Sequence, residues 1–289
     1  MNDQIGIGWR PELAAGILAH LEEIDIIEVI ADDYFDASGR DIRALNTLAR
    51  QVPIMLHGVT LGMASTHPVD RRRLERTARL LERVPNFLWS EHLAFVRAGE
   101  IEIGHLAFPP RCSETIEGTG ENLRIARQIV GIVPCMENVS TLIDPPGSTY
   151  SEAEWLARVL ASTEGDLLLD VQNIYANGLN FGYDPHDVID ALPPDRFPVI
   201  HISGGRMILV DEETGEHRLL DDHLHDVPDP VYELLEYAAA KSVRPLSVIL
   251  ERDGSYPQMD ELLSQLRKAR EAVSRGRRKR TKREEARAA

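Results

Sequence analysis

Short apolar runs along this chain each end in a residue type that binds metal ions. The runs are VPIMLH, FLWSEH, IVPCME, DLLLD, FPVIH and SVILE, and they end at His57, His92, Glu137, Asp170, His201 and Glu251. Alternate side chains of a strand share a face, so Met55 points the same way as His57, and Cys135 the same way as Glu137. The pattern predicts strands that each place an imidazole or a carboxylate at one rim. Such a set of nitrogen and oxygen donors suits Zn, Mn or non-haem Fe.

The order of elements predicts the fold class. Strand-like runs alternate with amphipathic, helix-like stretches such as 71–83, 119–130, 151–161 and 230–241. We place strands near 5–9, 25–30, 52–57, 87–92, 132–137, 166–171, 197–202 and 246–251. Eight such units predict an α/β protein with a closed (β/α)8 TIM barrel, whose active sites lie at the carboxyl ends of the strands. A doubly wound open sheet is the alternative, but it gathers ligands at one crevice.

Composition and charge divide the chain unevenly. The 289 residues are 43% hydrophobic and carry a net charge of −15, but residues 267–289 hold 11 basic and 3 acidic side chains. Residues 1–266 therefore carry 21 basic and 44 acidic side chains, a net charge of −23, which makes nucleic acid an unlikely partner for the body of the protein. We predict a catalytic metal-binding domain over 1–266 and a basic tail over 267–289, disordered from 274 onward.

Cysteine usage and hydropathy set the expected environment. Cys112 and Cys135 are far apart and form no CxxC spacing, so we expect neither a disulfide framework nor a thiolate zinc site. Cys135 lies in an apolar run and is interpreted as a buried structural thiol. No signal pattern precedes the first strand and no apolar run is long enough to cross a bilayer, so we expect a cytoplasmic protein without membrane contact.

The segment LLDDHLHDVPDP is the richest local group of candidate ligands. If it is extended, Asp221, His223 and His225 share one face and Asp222 points away. Asn173 follows Asp170 closely enough to fold back towards it. Taken singly, a histidine or aspartate at a strand end is usually a hydrogen-bonded structural residue. Taken together, so many buried charges need a cation, and we favour metal binding by the set.

The motifs carry a resemblance to a known family. LHGVTL, SEHLAF, MENVS, LLLDVQNIYAN, HISGG, the Asp221-x-His223 pair and LERD resemble the multinuclear non-haem iron-dependent oxidative enzymes, of which the methanobactin biosynthesis oxidase is the best-known type. The resemblance spans about residues 5–265, with the motifs in the same order. Many relatives carry His at the positions of Phe181 and Gly205 and often Asn at that of Gln172, so a third iron is in question here.

The resemblance implies a xylose isomerase-like TIM barrel that holds two or three iron ions. It implies an O2-dependent oxidoreductase that modifies cysteine residues of a ribosomally made precursor peptide, with a separate small protein that presents the peptide. Catalytic roles fall to Glu137, Asp170 and Asp221, and Ser90, Asn138 and His225 are expected to orient ligands or to add one. The implied iron ligands are His57, His92, Glu137, Asp170, Asn173, His201, Asp221, His223 and Glu251.

Two other functions remain open at this stage. The same donors can hold Zn or Mn in a hydrolase or isomerase, such as a sugar isomerase or an endonuclease-like phosphoesterase. A non-catalytic metal-binding or peptide-docking barrel is the third possibility. Nine ligands leave some coordination positions of two irons open, which favours catalysis over storage.

Overall fold

The computed structural model describes residues 2–86, 88–99 and 101–288, and its centre is a closed barrel of eight parallel strands. The barrel strands are β1 Gln4–Gly8, β2 Ile27–Ile30, β3 Ile54–Gly58, β4 Leu88–His92, β7 Cys135–Glu137, β8 Leu167–Asp170, β9 Val199–Ile202 and β12 Ser247–Leu250. Around the barrel they follow the order β1, β12, β9, β8, β7, β4, β3, β2. All eight predicted strands are confirmed, and so is the TIM-barrel class.

Helices surround the barrel, and the four predicted amphipathic stretches all lie in helices. The α-helices are α1 Ala14–Ala19, α2 Gly39–Leu48, α3 Arg71–Arg83, α4 Ser113–Val130, α5 Glu152–Ser162, α6 Val171–Phe181, α7 Pro185–Ala191, α8 Asp229–Lys241 and α9 Met259–Ala288. Helix α6 starts directly after β8, because the side chain of Asp170 accepts a hydrogen bond from the backbone N–H of Asn173 and caps the helix. In the described ranges, none of these helices combines the length and the apolar character that a bilayer crossing requires.

Two antiparallel hairpins that the sequence patterns did not predict rise from the carboxyl ends of the barrel strands. The first, β5 Phe95–Ala98 with β6 Ile101–Ala107, follows β4. The second, β10 Gly205–Asp211 with β11 Glu216–Asp221, follows β9. Both pairs are largely exposed and contain a bulge, so neither shows the regular alternation of a half-buried strand.

Two cores stabilise the barrel. The larger lies between the strands and the helices, and includes Trp89, Trp155 and Phe197. The smaller fills the barrel interior. Its buried members are Ile26, Met55, Cys135, Leu168, Val199 and Ile249, with Leu88 packed against them. Cys135 is thus buried in apolar surroundings, and burial raises the pKa of its thiol to about 12, as expected of a structural cysteine.

The prediction of a disordered basic tail is wrong for the part of it that the structure describes. Residues 267–288 continue α9, and Gly276, within the segment expected to be disordered, is buried against Glu236 and Ala239 of α8. The guanidinium of Arg277 donates to the carbonyls of Ala239 and Ser242, at the carboxyl end of α8. Basic side chains thus cap the neighbouring helix. The prediction of disorder considered burial of an apolar face as the means of ordering the tail, and this capping does not depend on one.

Candidate metal centre at the barrel mouth

The candidate ligands lie one step above the apolar interior layer. Because side chains alternate along a strand, the residue two positions after each interior apolar residue also points inward. On β1 that position is Gly8. On the other seven strands it is a polar side chain: Glu28, His57, Ser90, Glu137, Asp170, His201 and Glu251. These residues are all at most 4% exposed. We call them the upper layer, and the apolar set below them the lower layer.

The first group of donors contains two imidazoles and one carboxylate. The Nε2 atom of His57 lies 3.3 Å from Oε2 of Glu137, and Nε2 of His92 lies 3.4 Å from the same oxygen. His92 is paired in register with Glu137 across β4 and β7, which fixes their proximity. These three buried residues can hold a metal ion between them.

The second group shares Glu137 with the first. Its other members are Asp170, His201 and Glu251, and their donor atoms lie within 4.8 Å of one another. The Nδ1 atom of His201 is 3.4 Å from Oε1 of Glu137 and 3.0 Å from Oε2 of Glu251. The two oxygens of Glu137 therefore face different groups, the arrangement that a carboxylate bridging two metal ions requires.

Each of the three imidazoles has one nitrogen held by a neighbour and the other directed at the carboxylates. Nδ1 of His57 lies 2.7 Å from the hydroxyl of Ser90, and Nδ1 of His92 donates to the carbonyl of Gly58 at 3.1 Å. For His201 the partner is Glu28, whose Oε2 is 2.7 Å from Nε2. Such hydrogen bonds fix ring orientation and tautomer in metal-binding histidines.

Two asparagines hold Asp170 in place. The side chain of Asn138 donates to the carbonyl of Asp170 at 3.0 Å, and accepts from the N–H of Asp170 at 2.9 Å. Asn173 donates its backbone N–H to Oδ1 of Asp170 at 2.7 Å and its amide to the carbonyl of Asn138 at 3.0 Å. The structure therefore brings Asn173 to Asp170 as predicted, and Asn138 orients both.

Asp221 and His223 form a pair at the rim. Nε2 of His223 is 2.9 Å from Oδ2 of Asp221, and Nδ1 is 2.9 Å from Asp253 and 3.8 Å from Oε2 of Glu251. Oδ1 of Asp221 accepts from the hydroxyl of Ser203 at 3.1 Å. The rim pair thus adjoins the second donor group through Glu251.

The expectation that residues 221–225 share one extended face is wrong. His223 has a φ of 54°, which turns the chain and ends the alternation. As a result His225 pairs with Asp222 at 2.9 Å, with its side chain 45% exposed, while Asp222 lines the pocket that it was expected to face away from. His225 does not join either buried donor group.

The buried imidazoles and carboxylates of the cluster shift one another's pKa values. Burial alone would raise the pKa of Glu137, but the imidazoles of His92 and His201 outweigh it and lower the pKa to about 2. Burial alone would lower the pKa of His201, but the carboxylates of Glu251 and Glu28 hold the pKa well above its ordinary value. A bound cation would therefore displace protons from these imidazoles.

Unpaired buried atoms test whether a metal fits. Buried polar atoms are normally hydrogen-bonded, since an unpaired one costs about 1–3 kcal/mol. Across the described ranges, several atoms at this site make no hydrogen bond of good geometry, although Nδ1 of His201 and Oε2 of Glu251 are close to each other. These atoms include Oε2 of Glu137, Oδ2 of Asp170, Oδ1 of Asn173, Nδ1 of His201 and Oε2 of Glu251. All are metal donor types, so the residues fit one or more metal ions.

The site opens into a pocket of about 270 Å³. Both hairpins line it, through His105 and Leu106 of β6 and Leu219 of β11, and His92 and Glu137 contribute to its lining. His105 reaches the pocket because it lies on β6. The sequence did not connect it with the site, because its hairpin was not predicted. Glu28 was also missed, although a carboxylate inside the apolar run DIIEVI was a usable signal.

Two of the positions that depart from the family pattern, Phe181 and Gly205, have close neighbours in the structure. The ring of Phe181 lies under the guanidinium of Arg218, 5.2 Å from its centre. A Cβ on Gly205 would lie 2.3 Å from the carbonyl oxygen of Leu220 and 3.1 Å from Nε2 of Gln172. A histidine at Gly205 would therefore require the second hairpin to shift.

A closed barrel with buried donor groups at the carboxyl ends of its strands defines a (β/α)8 protein equipped to hold metal ions. The chain belongs to the family of the RiPP precursor modification enzyme MbnB/TglH/ChrH, whose model matches residues 4–274. The abbreviation denotes a ribosomally made and then modified peptide. The family is thus one of enzymes that act on a precursor peptide.

Two curated relatives illustrate the similarity. A UPF0276 protein of Streptomyces avermitilis is 34% identical over 268 residues, which are 90% of this chain and 53% of that protein. The chain therefore spans about half the length of that relative. A UPF0276 protein of Caulobacter vibrioides is 31% identical over 277 residues, which are 96% of each chain.

Solved structures confirm the xylose isomerase-like architecture. D-psicose 3-epimerase from Clostridium cellulolyticum H10 superposes with a TM-score of 0.58 at 13% identity, covering 96% of this chain and 99% of that one. A xylose isomerase-like TIM barrel protein from Mycobacterium smegmatis, in complex with magnesium, gives a TM-score of 0.56 at 11% identity, with 96% and 99% coverage. At these identities the likeness concerns the fold alone.

Proposed function

We propose that this protein is a multinuclear non-haem iron enzyme that uses O2 to modify cysteine residues of a ribosomally made precursor peptide. The observation that carries the proposal is the position of Glu137, whose two oxygens face two different buried donor groups. A single structural metal would need only one group. Two adjacent groups that share a carboxylate suit a pair of ions, and the family supplies the peptide as substrate.

The donor atoms divide between two neighbouring positions. His57, His92 and Glu137 would hold one iron, while Glu137, Asp170, His201 and Glu251 would hold the other. Asn173 adds an unpaired amide oxygen beside Asp170. Asp221 and His223 at the rim would complete the second position or hold a third iron. When bound, ferrous ions would supply electrons to O2, and O2 is the oxidant that cysteine modification needs.

The protein's own residues prepare the site for this chemistry. Ser90, Gly58 and Glu28 fix the three imidazoles, so that each presents one nitrogen to the interior. Asp221 lines the pocket together with His92 and Glu137, and a cysteine side chain of the peptide would enter there. The catalytic roles of Glu137, Asp170 and Asp221 are to hold the metals and to direct the substrate towards them.

Anaerobic reconstitution tests the proposal. The purified chain is loaded with Fe(II), its iron content is measured, and O2 is added with cysteine-bearing peptides encoded near its gene and with any small presenting protein found there. We expect about two irons per chain and a mass change at cysteine. The same peptides with cysteine replaced by serine are the control and should remain unmodified.

The principal alternative predicts a different result from the same experiment. A hydrolase or isomerase with Zn or Mn would be purified with that metal, and would act equally well with and without O2. Zinc-dependent activity that is indifferent to O2, together with unchanged cysteine peptides, would overturn the iron oxidase.

A further inference from the structure

We infer that the outer edge of strand β10 is the docking site of the substrate peptide, which binds there as an added antiparallel or parallel strand. The inference rests on the proposed function, because it takes a peptide as the substrate. Its basis, however, is the backbone geometry of the second hairpin and not the chemistry of the metal centre.

The hydrogen bonds of Leu219 reveal which backbone groups of β10 face outward. Leu219 donates its N–H to Oδ1 of Asn180 at 2.7 Å, and its carbonyl accepts from Nδ2 of Asn180 at 3.0 Å. Both groups of Leu219 therefore point to α6 and away from β10. Its partner across the hairpin is Met207, so Met207 and Leu219 form a non-hydrogen-bonded pair.

The alternation of an antiparallel pair then fixes the other positions. Leu209 faces His217 two residues along, so Leu209 also belongs to a non-hydrogen-bonded pair, while Ile208 is bonded to Arg218. The N–H and C=O groups of Met207 and Leu209 consequently point to the far side of β10. Within residues 2–86, 88–99 and 101–288, β11 is the strand paired with β10 and no strand covers that far side.

Side chains on this strand add an apolar surface. Met207 is 53% exposed and Leu209 49%, and Val210 next to them is 39% exposed. An exposed apolar edge is an aggregation hazard that proteins normally block with charge or proline. Residues 207–210 are Met, Ile, Leu and Val, so this stretch has neither, which suits an edge that a partner covers. Strand addition to a free edge takes its affinity from main-chain hydrogen bonds, which suits an extended peptide substrate.

Charge gives the bound peptide a direction. At the turn between β10 and β11, Asp211 is followed by Glu212 and Glu213, whose side chains are exposed. The other end of β10, at Gly205, lies opposite Asp221 at the pocket. A peptide with basic residues near the turn would therefore have its other end near the metal centre.

The distances are compatible with delivery of a cysteine to the pocket. An added strand would lie two strand spacings, about 10 Å, from β11. Each extended residue covers about 3.3 Å, so a cysteine some four residues beyond the paired segment can reach the pocket lined by Asp221. The paired segment and the reacting cysteine are thus separate parts of one peptide.

The test compares Met207→Pro with Met207→Leu in the full-length protein. Proline removes the outward N–H without breaking the bonds to β11, whereas leucine keeps it. The probe is a fluorescein-labelled synthetic peptide with alternating valine and threonine, two lysines at one end and one cysteine four residues beyond the other. We expect its Kd to rise at least tenfold in Met207→Pro and less than twofold in Met207→Leu.

Hydrogen exchange provides a second readout that does not depend on a variant. Saturating peptide should slow exchange at the amides of Met207 and Leu209 in the wild-type protein, while the amide of Ile208, already bonded to β11, should change little. Replacing the two lysines of the probe by glutamates should weaken binding about tenfold at low salt. Equal affinity of the two probes would overturn the proposed direction.

Three outcomes would overturn the docking site. Equal binding by Met207→Pro and Met207→Leu would show that the edge is not used, as would unchanged exchange at Met207. A wild-type dimer that Met207→Pro converts to monomer would assign the edge to a second copy of the chain. Failure of cysteine oxidation with binding still dependent on the edge would refute the iron oxidase and leave the docking site intact.

Discussion

The two layers inside the barrel are neighbours built by the same strands, yet they differ completely in chemistry. The lower layer is wholly apolar, and it includes Met55, Leu168 and Ile249. The upper layer, two residues further along each strand, includes His57, Asp170 and Glu251 and has no apolar member. Both are almost fully buried, so burial alone does not distinguish them.

The difference shows how the barrel separates stability from binding. Burial of apolar side chains contributes about 25 cal/mol per Å², whereas buried carboxylates cost free energy unless a positive charge is near. The lower layer therefore stabilises the barrel without any ligand. The upper layer stays costly until imidazolium groups or metal ions balance its carboxylates, which is the property expected of a binding site.

The largest expected effect comes from Glu137, at the centre of the upper layer. Glu137→Gln keeps the size of the side chain but removes the charge that faces both donor groups. We expect iron content to fall from about two per chain to one or less. Activity should fall by more than about 100-fold, since even residues that only orient metal ligands give losses of 10–100-fold.

Glu164→Gln is the matched control, because Glu164 is exposed and pairs with Arg127 at the surface. It should retain the iron content and activity of the wild type. Two irons per chain in Glu137→Gln, measured by metal analysis of anaerobically loaded protein, would contradict a bridging role.

A substitution in the lower layer should lower the stability of the protein and leave its iron content unchanged. Leu168→Ala opens a cavity in the barrel interior, and we expect the free energy of unfolding to fall by about 2–5 kcal/mol. The folded fraction should still bind the same number of irons. Leu18→Ala, at a side chain that is 50% exposed, is the control and should change stability by less than about 0.5 kcal/mol. Loss of iron from folded Leu168→Ala would mean that the layers are not independent.

The sequence predicts the two layers well because both follow one rule of strand geometry. Apolar runs that end in a polar residue place Met55 below His57 and Leu168 below Asp170, and the structure confirms both placements. The same rule applied to DIIEVI places Ile26 below Glu28. Glu28 lies inside an apolar run and not at its end, so a pattern of runs that end in a polar residue does not include it.

The hairpins, the turn at His223 and the helical tail were not predicted, because they depend on local irregularity or on contacts between distant segments. Periodicity in the sequence does not reveal either. The hairpins are too exposed and irregular to show alternation, so the approach of His105 to the pocket could not be predicted. The turn at His223 depends on a positive φ in a residue other than glycine. The helical tail depends on Arg277 meeting carbonyls of α8, a contact between segments more than 30 residues apart.

A buried carboxylate outside the barrel, Glu152, sharpens the comparison, because the side chains that donate hydrogen bonds to it are neutral. Glu152 accepts hydrogen bonds from Asn177, at 3.0 Å, and from the hydroxyl of Tyr183. Burial raises the pKa of Glu152 from 4.5 to about 7, although those hydrogen bonds oppose the shift. The folded state therefore binds more protons than the unfolded state between these two values.

Stability should consequently fall as pH rises from about 4.5 to about 7, by about 3 kcal/mol from this group, and then stay level. Glu152→Gln cannot ionise and should lose that part of the pH dependence. The measurement is urea unfolding of the metal-free protein at pH 5, 6, 7 and 8, with the difference between wild type and variant plotted against pH. A difference that is constant across this range would contradict the raised pKa.

The smallest expected effect belongs to Glu28, the upper-layer carboxylate that contacts an imidazole and joins neither donor group. Glu28→Gln still accepts a hydrogen bond from Nε2 of His201 but loses its charge, so the ring becomes a weaker donor to metal through Nδ1. We expect the iron affinity of the second position to fall by about 10–100-fold, with the stoichiometry retained at saturation. Anaerobic Fe(II) titrations of this variant and of the exposed control Glu75→Gln measure the change. If Glu28→Gln instead loses an iron outright, Glu28 is itself a ligand, and the upper layer supplies one more donor than the two groups contain.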